Sequence, residues 1–319
     1  MGVLSLNDRA LVVAHELGAR AGELGCEAQR VALASVVDCG VNTPGSLGAG
    51  LLLARACMAD LGTASLSPGR VGDVPLPYVN VSVSAPVAAC MASQYAGWQI
   101  SIGKYFAMGS GPMRACYGKE PLFDEPLMSR FKEKPGKAVG VLETGKLPDK
   151  EVIDWFYDRT EAPPGKLALL VAPTASLAGG VQVVARSVET ALHKLHTLEF
   201  DISRIVGGYG SAPLPPVAKD DLAAIGRTND AVLYGGAVTL FATGDDESLE
   251  AVTQRLPSST SSDYVRPFCE GFKQYSYDFY KLDPLLFSPA QVCIQNLTTG
   301  RTFVAGSINE DVLIESFFG

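Results

Sequence analysis

Arg186 and Glu189 stand three residues apart in a stretch, 181–198, whose apolar residues Val181, Val184, Val188, Ala191, Leu192 and Leu195 recur at helical spacing. On a helix, a guanidinium and a carboxylate so spaced are neighbours on one face. A carboxylate in that position can take a proton from water, and the guanidinium beside it favours the ionised form. His193 and His196 extend the same stripe, roughly opposite the Val/Leu side. The same spacing also describes an exposed ion pair on a solvated face, which contributes little, and spacing alone favours that plainer reading. Chemistry requires the stripe to face a cleft.

Three glycine-rich segments are candidates for close approach of backbone to a ligand: 108–112 (MGSGP), 207–211 (GGYGS) and 234–236 (YGG). Glycine tolerates positive φ and lets N–H groups reach a polar ligand, although each segment alone also reads as a tight turn. Tyr95, Trp98, Tyr105, Phe106, Tyr209 and Tyr234 lie near these segments and would suit a flat ligand, while isolated aromatics are more often core. Commoner signatures are absent. There is no Walker A sequence and no HExxH, no GxSxG elbow supports a Ser–His–Asp triad, and Gly208-Tyr209-Gly210 stops short of GxGxxG.

The elements that must position these residues read as a mixture. Helical patterns cover 6–29, 47–61, 85–96, 113–117, 148–160, 181–198, 220–226, 246–256 and 311–318. Strand patterns cover 31–37, 63–66, 78–82, 98–102, 137–143, 167–171, 231–242, 292–296 and 302–305, with loops at 106–112, 172–180 and 207–217 and a polar excursion at 118–136. Hairpin signals coexist with crossovers without a strict βαβ rhythm. This predicts an α+β architecture of two domains with mixed β-sheets and flanking helices. The expected domains are 1–135 and 136–319, the second carrying Arg186 and Glu189. One of them becomes discontinuous if N-terminal strands pair with the C-terminal hairpin.

The chain has 319 residues, 47% hydrophobic and 19% charged, the profile of a packed globular protein. A net charge of −8 argues against nucleic acid or an anionic membrane as main partner. No signal peptide is recognisable at the start, and the uncharged stretch 167–185 is broken by Pro173, Gly179 and Gly180. The expectation is a cytoplasmic protein. Seven cysteines without a CxxC pair read as reduced, mostly buried thiols, not as a zinc ribbon or disulfide scaffold.

Over nearly its whole length the sequence resembles the methenyltetrahydromethanopterin cyclohydrolases. The stretches that carry the resemblance are VVDCGVNTPGSLGAGLLLARACMADLGTASLS, VPLPYVNVSVSAPVAACMASQYAGWQI, FAMGSGPMRA, VLETGKLP, VAPTASLAGGVQVVARSVETALHKLH, TNDAVLYGG, LPSS, DFYKLDP and the closing DVLIESFF. The resemblance implies reversible hydrolysis of N5,N10-methenyltetrahydromethanopterin to the N5-formyl form. It implies neither metal nor nucleotide cofactor, a homotrimer of two-domain subunits, and a substrate cleft between the domains. The family's Arg-x-x-Glu falls on Arg186 and Glu189, so the resemblance reverses the reading from spacing and makes Glu189 the general base. Ser93, Gln94 and Tyr95, with Ser110 and Gly111, fall in matching segments and are the expected substrate contacts. The modest acidity resembles members from mesophilic one-carbon-oxidising bacteria, where the step lies between formaldehyde and formate. A cyclohydrolase on a folate-type carrier lacks support from any Rossmann fingerprint. A pterin carrier or regulator without turnover would not need both Arg186 and Glu189.

Overall fold

Ser5 caps the first helix, α1 (Leu6–Ala19), by accepting the Asp8 N–H at 3.1 Å. The computed structural model describes residues 5–95, 97–134, 136–264, 266–276 and 281–319. The helix stops at Ala19, ten residues short of the expected 29. The chain then turns through Gly25 and enters a hairpin of β1 (Glu27–Val31) and β2 (Ala34–Asp38). Its two-residue turn is Ala32-Leu33, both at positive φ (44° and 71°). Such a turn normally selects Asn or Gly, which is why one strand over 31–37 was the expectation.

Packing divides the chain into two compact units, Met1–Gly62 with Ala88–Gln182 and Thr63–Val87 with Val183–Gly319. The units do not separate at 135/136: residues 136–182 pack with the first and 63–87 with the second, so both units are discontinuous in sequence.

The first unit is built on a six-stranded mixed sheet. After α2 (Leu47–Cys57), its remaining strands are β5 (Trp98–Ile102), β6 (Tyr105–Ser110), β7 (Ala138–Glu143) and β8 (Leu167–Ala172). The second unit's β3 (Gly62–Val71) and β4 (Val74–Val83) come between them in sequence. The strand order is β1-β2-β8-β7-β6-β5, with β2, β8 and β7 parallel. Every side chain of β8 is buried, as expected of a central strand covered on both faces. Ala168 and Leu170 pack against α1 and α2, whereas Leu169 and Val171 pack with Phe156 of α4 (Lys150–Thr160). Helix α3 (Met113–Tyr117) follows β6, and the excursion expected at 118–136 forms two 3-10 turns that bury Leu122, Phe123 and Met128.

The second unit has its own six-stranded mixed sheet. Its later elements are β9 (Ile205–Pro213), α7 (Asp221–Leu233), β10 (Ala237–Ala242), α8 (Asp246–Arg255), α9 (Phe268–Gln274), β11 (Gln291–Asn296), β12 (Thr302–Gly306) and α10 (Glu310–Phe318). The order is β12-β11-β10-β9-β4-β3, with β10 and β11 parallel and β9 antiparallel to both β10 and β4. One face buries Val81, Val83, Leu240, Val292, Ile294 and Phe303. The other presents Ser82, Tyr209, Thr239, Cys293 and Val304 in one cross-strand row, Tyr209 and Val304 being exposed. Among the described residues no helix is long and apolar enough to cross a membrane. The architecture is α+β with two mixed sheets, as the sequence predicts.

Candidate functional site

The helix expected over 181–198 is two helices. After α5 (Leu177–Val184), Ala185 and Arg186 form a turn, and α6 (Ser187–Thr197) begins. Arg186 is the residue preceding the first helical turn, with φ −90° and ψ 7°. Its N–H donates to the Val183 carbonyl at 3.1 Å, and its own carbonyl accepts from Thr190 at 2.9 Å. Glu189 lies in the first turn of α6, where helix N–H groups point outward and the helix dipole favours a negative charge. Neither residue is on a solvated face: Arg186 is 7% exposed and Glu189 4%. The plain surface-pair interpretation therefore fails here.

The strand beneath explains how α6 sits so close to the sheet. The expected loop at 207–217 begins instead as β9, and its glycines alternate by face. A Cβ on Gly208 would lie 2.7 Å from Val188 Cγ1 of α6, and one on Gly210 would lie 2.3 Å from Ser187 Oγ. Both are closer than real Cβ atoms come. Ser187 is fully buried and its hydroxyl has no hydrogen-bond partner among the described residues, so it is packed against bare glycine, not tethered. The two residues on either side of this contact, Arg186 and Glu189, are thus placed by steric fit between α6 and a strand stripped of side chains.

Further along α6, the fully buried Lys194 donates from Nζ to the Pro257 carbonyl at 2.7 Å and to Thr260 Oγ1 at 2.8 Å, fixing the helix to the 257–260 turn. Burial pulls its ammonium down to about 8. Burial, and then the neighbouring His196, pull His193 down to about 4, so its imidazole is uncharged at neutral pH. The stripe expected to run from Arg186 through the histidines therefore gains no positive charge from His193.

The other five expected contacts belong to the first unit, and the structure brings them together. Ser93 and Gln94 end a π-helix, Val87–Gln94, where an α-helix over 85–96 was expected; π-turns are rare and recur at functional sites. Ser110 closes β6 and Gly111 follows it with φ +92°. Gly111 N–H donates to the Ser93 carbonyl at 3.0 Å, and Ser110 Oγ donates to the Gln94 carbonyl at 2.8 Å. Ser93 Oγ donates to the Cys57 carbonyl at 2.5 Å. Ser93, Gln94, Ser110 and Gly111 are buried; Tyr95 alone of the five is partly exposed.

Arg114, Glu120, Cys57 and Gln182 join this cluster and were missed by the sequence reading. Arg114, fully buried, donates from Nη1 to the Tyr95 carbonyl, and its guanidinium lies 4.8 Å from the Tyr95 ring centroid. It also grips Glu120 with two bonds, Nε–Oε1 at 2.9 Å and Nη2–Oε2 at 2.5 Å. Cys57 Sγ donates to Gln182 Oε1 at 3.6 Å and lies 3.6 Å from Ser110 Oγ. The available signal was position: Arg114 is the next-to-last residue of the FAMGSGPMRA stretch and Cys57 sits inside another.

Comparison with known proteins identifies the family. The family model described as Cyclohydrolase (MCH) matches residues 5–317. A methenyltetrahydromethanopterin cyclohydrolase of Rhodopirellula baltica is 50% identical over 289 residues, covering 90% of this chain and 87% of that protein. One of Xanthobacter autotrophicus is 46% identical over 287 residues, 90% and 84% of the two chains. One of Methanococcoides burtonii is 38% identical over 319 residues, 99% and 98% of the two. The chain belongs to the cyclohydrolase (MCH) family.

Proposed function

We propose that this chain hydrolyses N5,N10-methenyltetrahydromethanopterin reversibly to N5-formyltetrahydromethanopterin, with Glu189 as general base and Arg186 as its electrostatic partner. Membership of the family supports the reaction. The observation that carries the roles is the burial of Glu189 in the first turn of α6, with Arg186 immediately before that turn.

The methenyl carbon bridges two nitrogens and carries amidinium charge, so it is electrophilic without a Lewis acid. The reaction needs an oriented water and an acceptor for its proton. Glu189 takes that proton as water adds, giving a neutral tetrahedral carbinolamine. Returning the same proton to N10 lets the C–N10 bond break, and release of the remaining hydroxyl proton to solvent leaves a neutral formyl group on N5. Arg186 favours ionised Glu189 and disfavours the cationic substrate relative to the neutral intermediate, which is differential stabilisation along the reaction path. Ser93, Gln94, Tyr95, Ser110 and Gly111 contact the pterin, with the partly exposed Tyr95 ring as the stacking surface. The enzyme acts as a cytoplasmic homotrimer in formaldehyde oxidation and uses neither metal nor nucleotide.

Loss of the methenyl absorbance, followed with purified chain after metal chelation and with the folate-type carrier in parallel, tests the reaction. Turnover on the methanopterin carrier alone is expected. Binding without turnover would make the chain a pterin carrier, and turnover only on the folate form would change the substrate. Glu189→Gln should keep its circular-dichroism spectrum and lose about 10²–10⁴-fold in turnover; near-parental turnover removes Glu189 from the base role. Light scattering on the purified chain tests the trimer.

A further inference from the structure

Cys26 and Cys39 face one another across the first hairpin. The β1–β2 register pairs Glu27 with Asp38 and Val31 with Ala34, so one step outward sets Cys26 opposite Cys39. The Cys39 N–H donates away from β1, to Val171 of β8 at 2.8 Å, and the Cys26 N–H donates to Ala21 at 2.8 Å. The two cysteines therefore occupy a non-hydrogen-bonded position of the antiparallel pair. There, opposed Cα atoms approach to roughly 4.5 Å, within the range that a disulfide spans. Both side chains turn to the same side of the sheet, into the core formed with α1 and α2. Both are free thiols.

We propose that Cys26 and Cys39 form a site of reversible oxidation, closing a cross-strand disulfide when the chain meets a low-molecular-weight disulfide. The Cys26 thiol donates to the Leu24 carbonyl at 3.5 Å and the Cys39 thiol to the Val37 carbonyl at 3.7 Å; the nearby Cys39 thiol lowers Cys26, while Cys26 and burial raise Cys39. The order of events follows. Cys26, 8% exposed, is the attacking sulfur, and Cys39, fully buried behind it, is the resolving one. The Cys26 thiolate attacks the small disulfide and releases one thiolate, leaving a mixed disulfide. The Cys39 thiol then loses its proton, attacks the Cys26 sulfur and expels the second thiolate. Two protein thiols are oxidised and one small disulfide is reduced to two thiols. Access comes from β1 itself, an edge strand whose residues Glu27 to Arg30 are all exposed, so local fraying uncovers Cys26 without opening the central strands.

The test uses the folded full-length chain and oxidised glutathione. Arg30 separates the two cysteines, so trypsin places Cys26 in peptide 21–30 and Cys39 in peptide 31–55, neither with a second cysteine. The expected product has lost two hydrogens, titrates with five thiols in place of seven, and yields these two peptides as one linked species that dithiothreitol separates. Cys39→Ala should trap one glutathione on Cys26, and Cys26→Ser should abolish linkage while keeping the parental circular dichroism. A folded chain that keeps both thiols overturns the proposal. So does one that links only in denaturant or stops as a glutathione adduct with Cys39 present.

Discussion

The two regions that hold the expected site residues are organised by opposite means. In the second unit, Arg186 and Glu189 sit at the start of α6, and what places them is missing matter: Gly208 and Gly210 let the helix settle onto β9. In the first unit, Ser93, Gln94, Tyr95, Ser110 and Gly111 are held by directed bonds, carbonyl by carbonyl, with Arg114 and Glu120 as a charged brace. Steric fit is indifferent to salt and pH but intolerant of one added atom group. Hydrogen-bonded tethers tolerate some change of volume but fail when a donor is removed. For the carboxylate proposed to react, whose distance to water matters most, fit is the stiffer device.

The sharpest way to break this contrast is to add a side chain to β9. Gly210→Val drives a Cβ to within 2.3 Å of Ser187 Oγ and 3.0 Å of Val188 Cγ2, so the first turn of α6 must shift. A displacement near 1 Å at a reacting group costs on the order of 10²-fold. Turnover should fall on that scale in a chain that stays folded by circular dichroism. Gly207→Ala is the control: its Cβ meets Phe241 Cδ2 at 3.4 Å, an ordinary contact, and turnover should stay near the parent's. Parental turnover in Gly210→Val would mean that fit on β9 does not place the pair.

Removing the charged brace in the first unit should act on stability instead. Arg114→Met keeps much of the apolar stem but leaves Glu120 and the Tyr95 carbonyl without their donor. Breaking a buried pair from one side costs about 3–5 kcal/mol, and Glu120, 16% exposed, is near the lower end because water reaches it. Denaturant unfolding should show that loss. A change under about 1 kcal/mol, the range of surface pairs, would show that the brace is dispensable.

What the sequence made legible divides along the same line. Strands at 98–102 and 302–305 and helices at 113–117 and 311–318 were readable because Pro, Gly and apolar period mark them locally. The β1–β2 hairpin was not, because Ala32 and Leu33 occupy turn positions that local preference gives to Asn and Gly. Strand β9 read as a loop because its glycines answer to α6, a tertiary cause invisible along the chain. The break before Ser187 has no Gly or Pro to announce it. Spacing placed Arg186 beside Glu189 but favoured solvent; the resemblance supplied their importance, and the fold shows their burial.

The mildest perturbation separates holding from reacting. Ser110→Ala deletes the hydroxyl that donates to the Gln94 carbonyl at 2.8 Å and touches Cys57 Sγ at 3.6 Å, while changing volume little. Losing one neutral hydrogen bond costs about 1 kcal/mol, so a small loss of stability is expected. If the cluster only shapes the surface that receives the pterin, KM should rise severalfold while kcat stays level, because binding that is equal in ground and transition states is what is lost. If kcat and kcat/KM instead fall by the same factor, Ser110 serves the transition state. The first unit would then share in the chemistry proposed for the start of α6.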